Sequence, residues 1–237
     1  MAPDHATVAE QEYLESLFWL FEAGLPMTGA NLARAMQLSG PTVHEMVGRL
    51  ERDGYIVRNA GRGIEFTDEG RGQAERIVSR HRMIERFLTD VVGVPWDDVH
   101  EEAEQLEHAM TPRFEAYVRS AVGDATTCPH GHPIRVGERI DGVPLADCAV
   151  GATISVLRLE NEAEDLLHYL KAVGIEPGMS GTITVSDGDQ VQVSTASGSS
   201  TLTTSVAETV SVIADPSPPA RTALPDQLVL GRERYGR

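Results

Sequence analysis

The segment at 99–110, VHEEAEQLEHAM, concentrates side chains of the types that bind metal ions. If it is helical, its two histidines and two of its glutamates fall within a sector of about 100°. These residues are His100, Glu104, Glu107 and His108. Solvated surface charge has no need of such convergence, whereas divalent metal ions take imidazole and carboxylate groups as ligands. The segment is therefore a candidate source of metal ligands.

Two other segments offer ligands at helical spacing. SRHRMIERF carries His81 and Glu85 one turn apart, and EQEYLE carries Glu12 and Glu15. None of these positions is a cysteine or methionine, so the set suits Mn(II), or Fe(II) next, better than Cu(I) or a thiolate zinc centre. The alternative is solvated helix faces with ordinary ion pairs. That alternative is favoured for His81 and Glu85 taken alone and stays open for 99–110, but the three segments together favour a metal site.

The first third of the chain reads as a DNA-binding module. An amphipathic helix at 8–24 is followed by a short helix capped by Thr28 and a third helix capped by Ser39, which ends at Gly54. YIVRNAGRGIEFT then alternates around GRG and predicts a β-hairpin. This order of elements is that of a winged helix-turn-helix.

The predicted recognition helix and wing supply the side chains that would contact DNA. Residues 30–64 hold five arginines against three acids, although the whole chain has a net charge of -16. A helix-turn-helix used only for packing or protein contacts is the less favoured alternative. The candidate DNA-contacting residues are Ser39, Pro41, Thr42, His44, Glu45, Arg49, Arg58 and Arg62.

The remaining pattern predicts a mainly α protein with β structure, in four parts. A winged helix-turn-helix domain spans 1–75, and a helical metal-binding and dimerisation domain with its linker spans 76–145. Its second long helix covers 97–122. A small β-rich domain occupies 150–215, and a flexible tail spans 216–237. The two cysteines and the absence of a signal sequence or long apolar run predict a cytoplasmic protein with no membrane contact.

Three stretches together resemble the diphtheria toxin repressor family of metal-dependent transcriptional regulators. They are LSGPTVHEMVGRLERDGYIV, RHRMIERFLTD and VHEEAEQLEHAM. The β-rich part resembles the SH3-like, ferrous-transport-A-like domain that follows in many members, which implies a small β-barrel of SH3-like type at 150–215. The resemblance implies a repressor that binds a palindromic operator as a homodimer when loaded with metal and controls metal-homeostasis genes.

The family pattern also implies ligand sets. The ancillary site would use His81, Glu85 and His100, and the primary site Glu12, Glu104, Glu107 and His108. Iron-sensing members generally have Met and Cys at positions 12 and 104. Carboxylates at both positions resemble the manganese-sensing branch, in which a residue like Glu15 joins the site. Mn(II) is thus the expected cofactor, with Fe(II) as the alternative and other divalent metals binding in vitro.

Some positions depart from the family pattern or stay open. The family's ligands from the SH3-like domain align with Ala163 and Leu166, which cannot bind metal, and Glu162, Glu164 or His168 are weak substitutes. CPHGHP at 128–133 lacks a second half of zinc-knuckle spacing, so a Pro/Gly connector is favoured there.

Two other classes of function remain as alternatives. A metalloenzyme would need a catalytic motif such as H-E-x-x-H or a nucleophile elbow, which the sequence lacks, so no enzyme is expected. A metal-independent adaptor that binds a proline-rich peptide would need an aromatic groove, for which residues 150–215 are poor in aromatics.

Overall fold

The structure, a computed structural model, describes residues 6–61 and 63–218. Four helices and a hairpin form its first part, and each helix begins at a threonine or serine that accepts a hydrogen bond from a backbone N–H of the first turn. These caps are Thr7, Thr28, Ser39 and Thr67. The elements are α1 (Val8–Glu22), α2 (Gly29–Ala35), α3 (Gly40–Arg52), β1 (Ile56–Arg58), β2 (Ile64–Phe66) and α4 (Asp68–Phe87).

The first core fixes the recognition helix against α1. Val43, Val47 and Leu50 of α3 are buried in one cluster with Leu17 and Phe18 of α1. Helical spacing leaves the opposite face of α3 exposed. The antiparallel strands β1 and β2 form the two-stranded wing, so the predicted winged helix-turn-helix is confirmed.

The middle of the chain is helical, but one prediction here was wrong. Residues 97–122 do not form one helix: α5 (Val99–Glu107) ends at His108, and α6 (Pro112–Val122) begins after a cap by Thr111. Proline is favoured in the first turn of a helix, where its missing N–H does no harm, and it breaks a helix that would run through it. A short π-helix (Leu88–Val92) follows α4, and a small core joins these helices.

The last part is an antiparallel sheet domain. Its six strands have the order β3-β8-β4-β5-β6-β7, and α7 packs on them through Leu166, Leu167 and Leu170. The polar strand β7 lacks a hydrophobic alternation and was not predicted. The elements are β3 (Val143–Pro144), a 3-10 turn (Leu145–Asp147), β4 (Thr153–Leu159), α7 (Glu164–Ala172), β5 (Ser180–Ser186), β6 (Gln190–Thr195), β7 (Gly198–Thr203), α8 (Thr204–Ala207) and β8 (Val210–Asp215).

The predicted fold class is confirmed: a helical DNA-binding part, a helical middle and an antiparallel C-terminal sheet domain follow one another. The predicted tail spans 216–237, and its part from position 219 onward lies outside the described residues. In the described part of the chain, no helix combines the length and the apolar character that a membrane crossing requires.

Candidate metal centre and DNA-contacting surface

The centre of the molecule holds a buried group of ligand-type side chains from three elements. His81 and Glu85 lie on α4, His100 lies on α5, and Glu162 precedes α7. His81 Nε2 is 3.1 Å from Glu85 Oε1, and His100 Nδ1 is 3.2 Å from the same oxygen. His100 Nδ1 is also 2.9 Å from Glu162 Oε2. One ligand atom of each residue lies within 4.8 Å of the others, a spacing that a single ion can bridge.

A second group shares two of these carboxylates and comes from the CPHGHP segment. Cys128 and His130 join Glu85 and Glu162, and His130 Nδ1 lies 3.2 Å from Glu85 Oε1. The sequence favoured a Pro/Gly connector here, and metal binding by this segment is not tested; in the structure His130 is fully buried. The close packing of the CPHGHP segment against β4 depends on Gly131. Its φ is +93°, and a Cβ there would lie 2.1 Å from a backbone carbonyl of β4.

A third group links the centre to α1. His81 Nδ1 lies 2.7 Å from Glu107 Oε2, within hydrogen-bond distance, and 3.9 Å from Glu15 Oε1. His108 Nε2 lies between Glu107 and α1, 3.2 Å from Glu107 Oε1 and 3.1 Å from Glu12 Oε1. The ligand-type side chains therefore run without a break from α1 through α4 and α5 to the sheet domain.

The structure brings all eight predicted metal ligands into this region, with Glu104 at its edge, 3.6 Å from His100 Nε2. Their binding of metal stays a prediction. Of the three substitutes considered in the sheet domain, Glu162 reaches the centre. Glu164 is exposed, and His168 instead pairs with Asp98 at 2.6 Å. Sequence reasoning gave too little weight to Cys128 and His130, for which CPHGHP was the available signal.

Burial and mutual contact shift the pKa values of these groups. Burial opposes protonation of His100, but the carboxylates of Glu162 and Glu85 outweigh it and raise its pKa to about 10. Burial likewise opposes ionisation of Glu162, whose pKa the facing histidines hold at about 2. Burial and the adjacent Glu107 raise the pKa of Glu15 well above its ordinary value. In the metal-free protein, protons on the imidazoles thus balance part of the carboxylate charge.

The donor set fits a divalent cation. Glu15 Oε1 and Glu85 Oε2 are buried and have no hydrogen-bond partner among the described residues. A buried polar atom without a partner costs about 1–3 kcal/mol, so a ligand that contacts these oxygens would remove a penalty. Carboxylate and imidazole donors suit Mn(II) and Fe(II), while the Cys128 thiol adds one softer donor that the sequence interpretation had left out.

The predicted DNA-contacting side chains divide into exposed and paired groups. Five of them lie exposed at the start of α3: Ser39, Pro41, Thr42, His44 and Glu45. Two arginines are held by acids, since Arg49 Nε lies 3.1 Å from buried Glu10 Oε1 and Arg58 of the wing bonds Glu51. Arg62 lies outside the described residues.

Comparison with known proteins agrees with this arrangement of parts. A family model described as "Iron dependent repressor, N-terminal DNA binding domain" matches residues 5–64, and its companion, "Iron dependent repressor, metal binding and dimerisation domain", matches residues 67–135. A model described as "FeoA domain" matches residues 143–214. The iron-dependent repressor IdeR of Mycobacterium tuberculosis is 32% identical over 197 residues, which cover 76% of this chain and 86% of that protein. The chain belongs to the iron-dependent repressor family, that of the diphtheria toxin repressor.

Solved structures of this repressor family have the same architecture. A manganese-dependent transcriptional repressor in complex with manganese matches with a TM-score of 0.78 and 28% identity, over 86% of this chain and 99% of that chain. IdeR of T. acidophilum matches with a TM-score of 0.73 and 26% identity, over 87% and 98% of the two chains. The protein is thus a metal-dependent transcriptional repressor, and its relatives are repressors and not enzymes.

Proposed function

We propose that this repressor binds a palindromic operator as a homodimer when Mn(II) occupies the central site, and that it controls genes of metal-ion homeostasis. The observation that carries the proposal is the convergence of α1, α4, α5 and the sheet domain on one unbroken set of carboxylates and imidazoles. A cytoplasmic location is part of the proposal, because the function requires access to DNA and both cysteines are free thiols.

The site residues differ in what each would contribute. His81, Glu85, His100 and Glu162 form one pocket for a cation, and Glu107 with the α1 carboxylates forms an adjoining one. A bound divalent ion would supply positive charge that offsets the repulsion among these acids. Glu12 contacts His108 and Glu15 faces His81, so the ion would strengthen the hold of α1 on α4 and α5.

Helix α1 also contacts the recognition helix. Glu10, two residues before Glu12, is fully buried and holds Arg49 of α3. The backbone N–H and the hydroxyl of Thr7 bond the other carboxylate oxygen of Glu10, which fixes it. The position of α1 relative to α4 therefore sets the position of α3, and with it the spacing of two recognition helices in a dimer.

An exposed apolar face on α5 and α6 would form the dimer contact. Leu106, Phe114 and Tyr117 are 45%, 51% and 60% exposed, and the last two are one turn apart on α6. They lie inside the range matched by the dimerisation-domain model. Exposed aromatic residues at this spacing are typical of a protein–protein interface.

Fe(II) is the second candidate, and a specific observation favours it. Cys128 brings a thiol to the group of Glu85, His130 and Glu162, and a softer donor suits Fe(II) better than Mn(II). The carboxylates at 12 and 104 point the other way, because they replace the softer residues that iron-sensing relatives carry. We therefore rank Mn(II) first on the larger number of hard donors.

The test is a DNA-binding titration of the metal-free protein and of protein with Mn(II), Fe(II) under anaerobic conditions, Co(II) or Zn(II). The DNA is a duplex selected by the Mn(II)-loaded protein from a random-sequence pool. Mn(II) should strengthen binding about a hundredfold, a value near the upper end of typical coupling between two sites. Glu107→Gln or His108→Ala should abolish this effect, while Glu102→Gln, an exposed acid on the same helix, should preserve it. Equal binding with and without metal, or a full metal response in Glu107→Gln, would refute the proposal.

A further inference from the structure

A second buried network, made of arginine–glutamate pairs, lies beside the metal centre. Glu22, the last residue of α1, pairs with the buried Arg82 of α4, which also donates to the Pro133 carbonyl at 3.0 Å. In the sheet domain, Arg158 Nε donates to Glu160 Oε1 at 2.6 Å, and both side chains are more than nine-tenths buried. One pair thus belongs to the helical part and the other to the sheet domain.

Arg139 joins the two pairs. It lies on the segment that connects α6 to the sheet domain, and its Nη2 donates to both oxygens of Glu160 at 3.0 and 2.8 Å. Its Nη1 lies 3.8 Å from Glu22 Oε2. The side chain is 22% exposed, so these contacts are weakly screened by solvent. Arg139 therefore connects the end of α1 to the end of β4.

The same bridge borders the metal centre. A cavity of about 40 Å³ is lined by Glu22, Arg139 and Glu160 together with His100 and Glu162. Glu160 is two residues before Glu162, and the side chain of the intervening asparagine accepts a hydrogen bond from the Ala163 N–H at 2.9 Å, which restrains the backbone at Glu162. This short connection is the route by which a displacement of Glu162 would reach Glu160 and Arg139.

We propose that Arg139 is a positioning residue that couples the Glu162 side of the metal centre to the C-terminal end of α1. The inference rests on the proposed function and adds a second contact by which the metal centre fixes α1, at the opposite end of the helix from Glu12. Its role is separable from stability, since Glu22 keeps Arg82 and Glu160 keeps Arg158 when Arg139 is removed. No acid is left buried without a partner, the case that costs most.

The experiment is hydrogen exchange of the full chain, followed by mass spectrometry with and without Mn(II), on wild type and Arg139→Met. In wild type Mn(II) should slow exchange in α1, α4 and α5. In Arg139→Met the slowing of α4 and α5 should persist, and that of α1 should fall about tenfold. Arg139→Lys, which keeps the charge, should recover part of the α1 effect. Arg135→Met is the matched control, because the Arg135 side chain is 79% exposed and its ion pair is with Glu138, at 3.7 Å.

Binding of Mn(II) is followed independently by tryptophan fluorescence. Both tryptophans face the centre: Trp19 lies 5.9 Å from the His100 ring and Trp96 lies 6.1 Å from the His130 ring. Arg139→Met with wild-type slowing of α1 would overturn the inference, as would loss of slowing in all three helices, which indicates a merely structural role. Wild type that neither binds Mn(II) nor shows any slowing would refute the proposed function itself, and the inference with it.

Discussion

Replacing Phe114 by alanine should weaken the proposed homodimer strongly. About half of this residue is exposed in the single chain, 51%, and an aromatic side chain offers roughly 200 Å² in all. About 100 Å² is thus available for burial, of which alanine would lose about 70 Å². At about 25 cal/mol per Å², and with the residue contributed by both subunits of a symmetric dimer, the loss is about 3.5 kcal/mol per dimer. The dissociation constant should rise about 300-fold.

Sedimentation equilibrium of the metal-loaded protein over a range of concentrations measures this constant directly. Tyr117→Ala, one turn along α6, should act in the same direction. Ile213→Ala is the matched control, because Ile213 is 48% exposed but lies on β8 of the sheet domain. If Phe114→Ala dimerises as tightly as wild type, or if Ile213→Ala gives the larger loss, the interface lies elsewhere and the assignment to α6 is wrong.

Three further predictions concern the metal centre and the fold. Cys128→Ser should remove the thiolate absorption band that Co(II) gives in wild type. Cys148→Ser should keep the band, because Cys148 is a buried thiol of the sheet-domain core. A band that survives in Cys128→Ser would exclude Cys128 as a ligand. Binding of Mn(II) at pH 7 should release at least one proton and should tighten as pH rises. The reason is that His100 must be neutral to bind the ion, while the facing carboxylates raise its pKa to about 10 against the effect of burial. Calorimetry in buffers of different ionisation enthalpy measures the proton release, and its absence would contradict the prediction. Gly70→Ala should lower the free energy of unfolding, measured by urea titration, by about 2 kcal/mol or more, because a Cβ would lie 1.8 Å from a backbone carbonyl before the wing. At Gly72, on the same helix, a Cβ would have no atom within 4 Å, so Gly72→Ala should raise the free energy of unfolding by about 1 kcal/mol.

Local signals made the DNA-binding part predictable. The caps Thr28, Ser39 and Thr67 each act on a backbone N–H three residues away, so a short window of sequence contains the whole interaction. The break between α5 and α6 carries the same signal, a threonine followed by proline at 111–112. The apolar spacing continues across this break, so periodicity alone predicts one helix where the threonine cap begins a second.

The rest of the candidate site depends on contacts between distant residues. His130 reaches Glu85 because Gly131 packs against β4, which is 22 residues or more further along the chain. Glu162 reaches His100 because the sheet domain docks beside α5. Neither contact leaves a periodic pattern, so sequence reasoning found the helical ligands at i, i+3 and i+4 spacing and underestimated those from loops.

Helix α1 is the element through which the proposed metal response must pass. Glu10 holds Arg49 of the recognition helix, Glu12 and Glu15 face the metal centre, and Glu22 meets the arginine bridge to the sheet domain. A helix of 15 residues is about 22 Å long and stiff over that length, so these contacts cannot move independently. Under the proposed function, a change in charge at Glu12 and Glu15 would shift the whole helix, and the recognition helix would move with it. The net charge of -16 is compatible with this function if the contacts with DNA are local, on α3 and the wing.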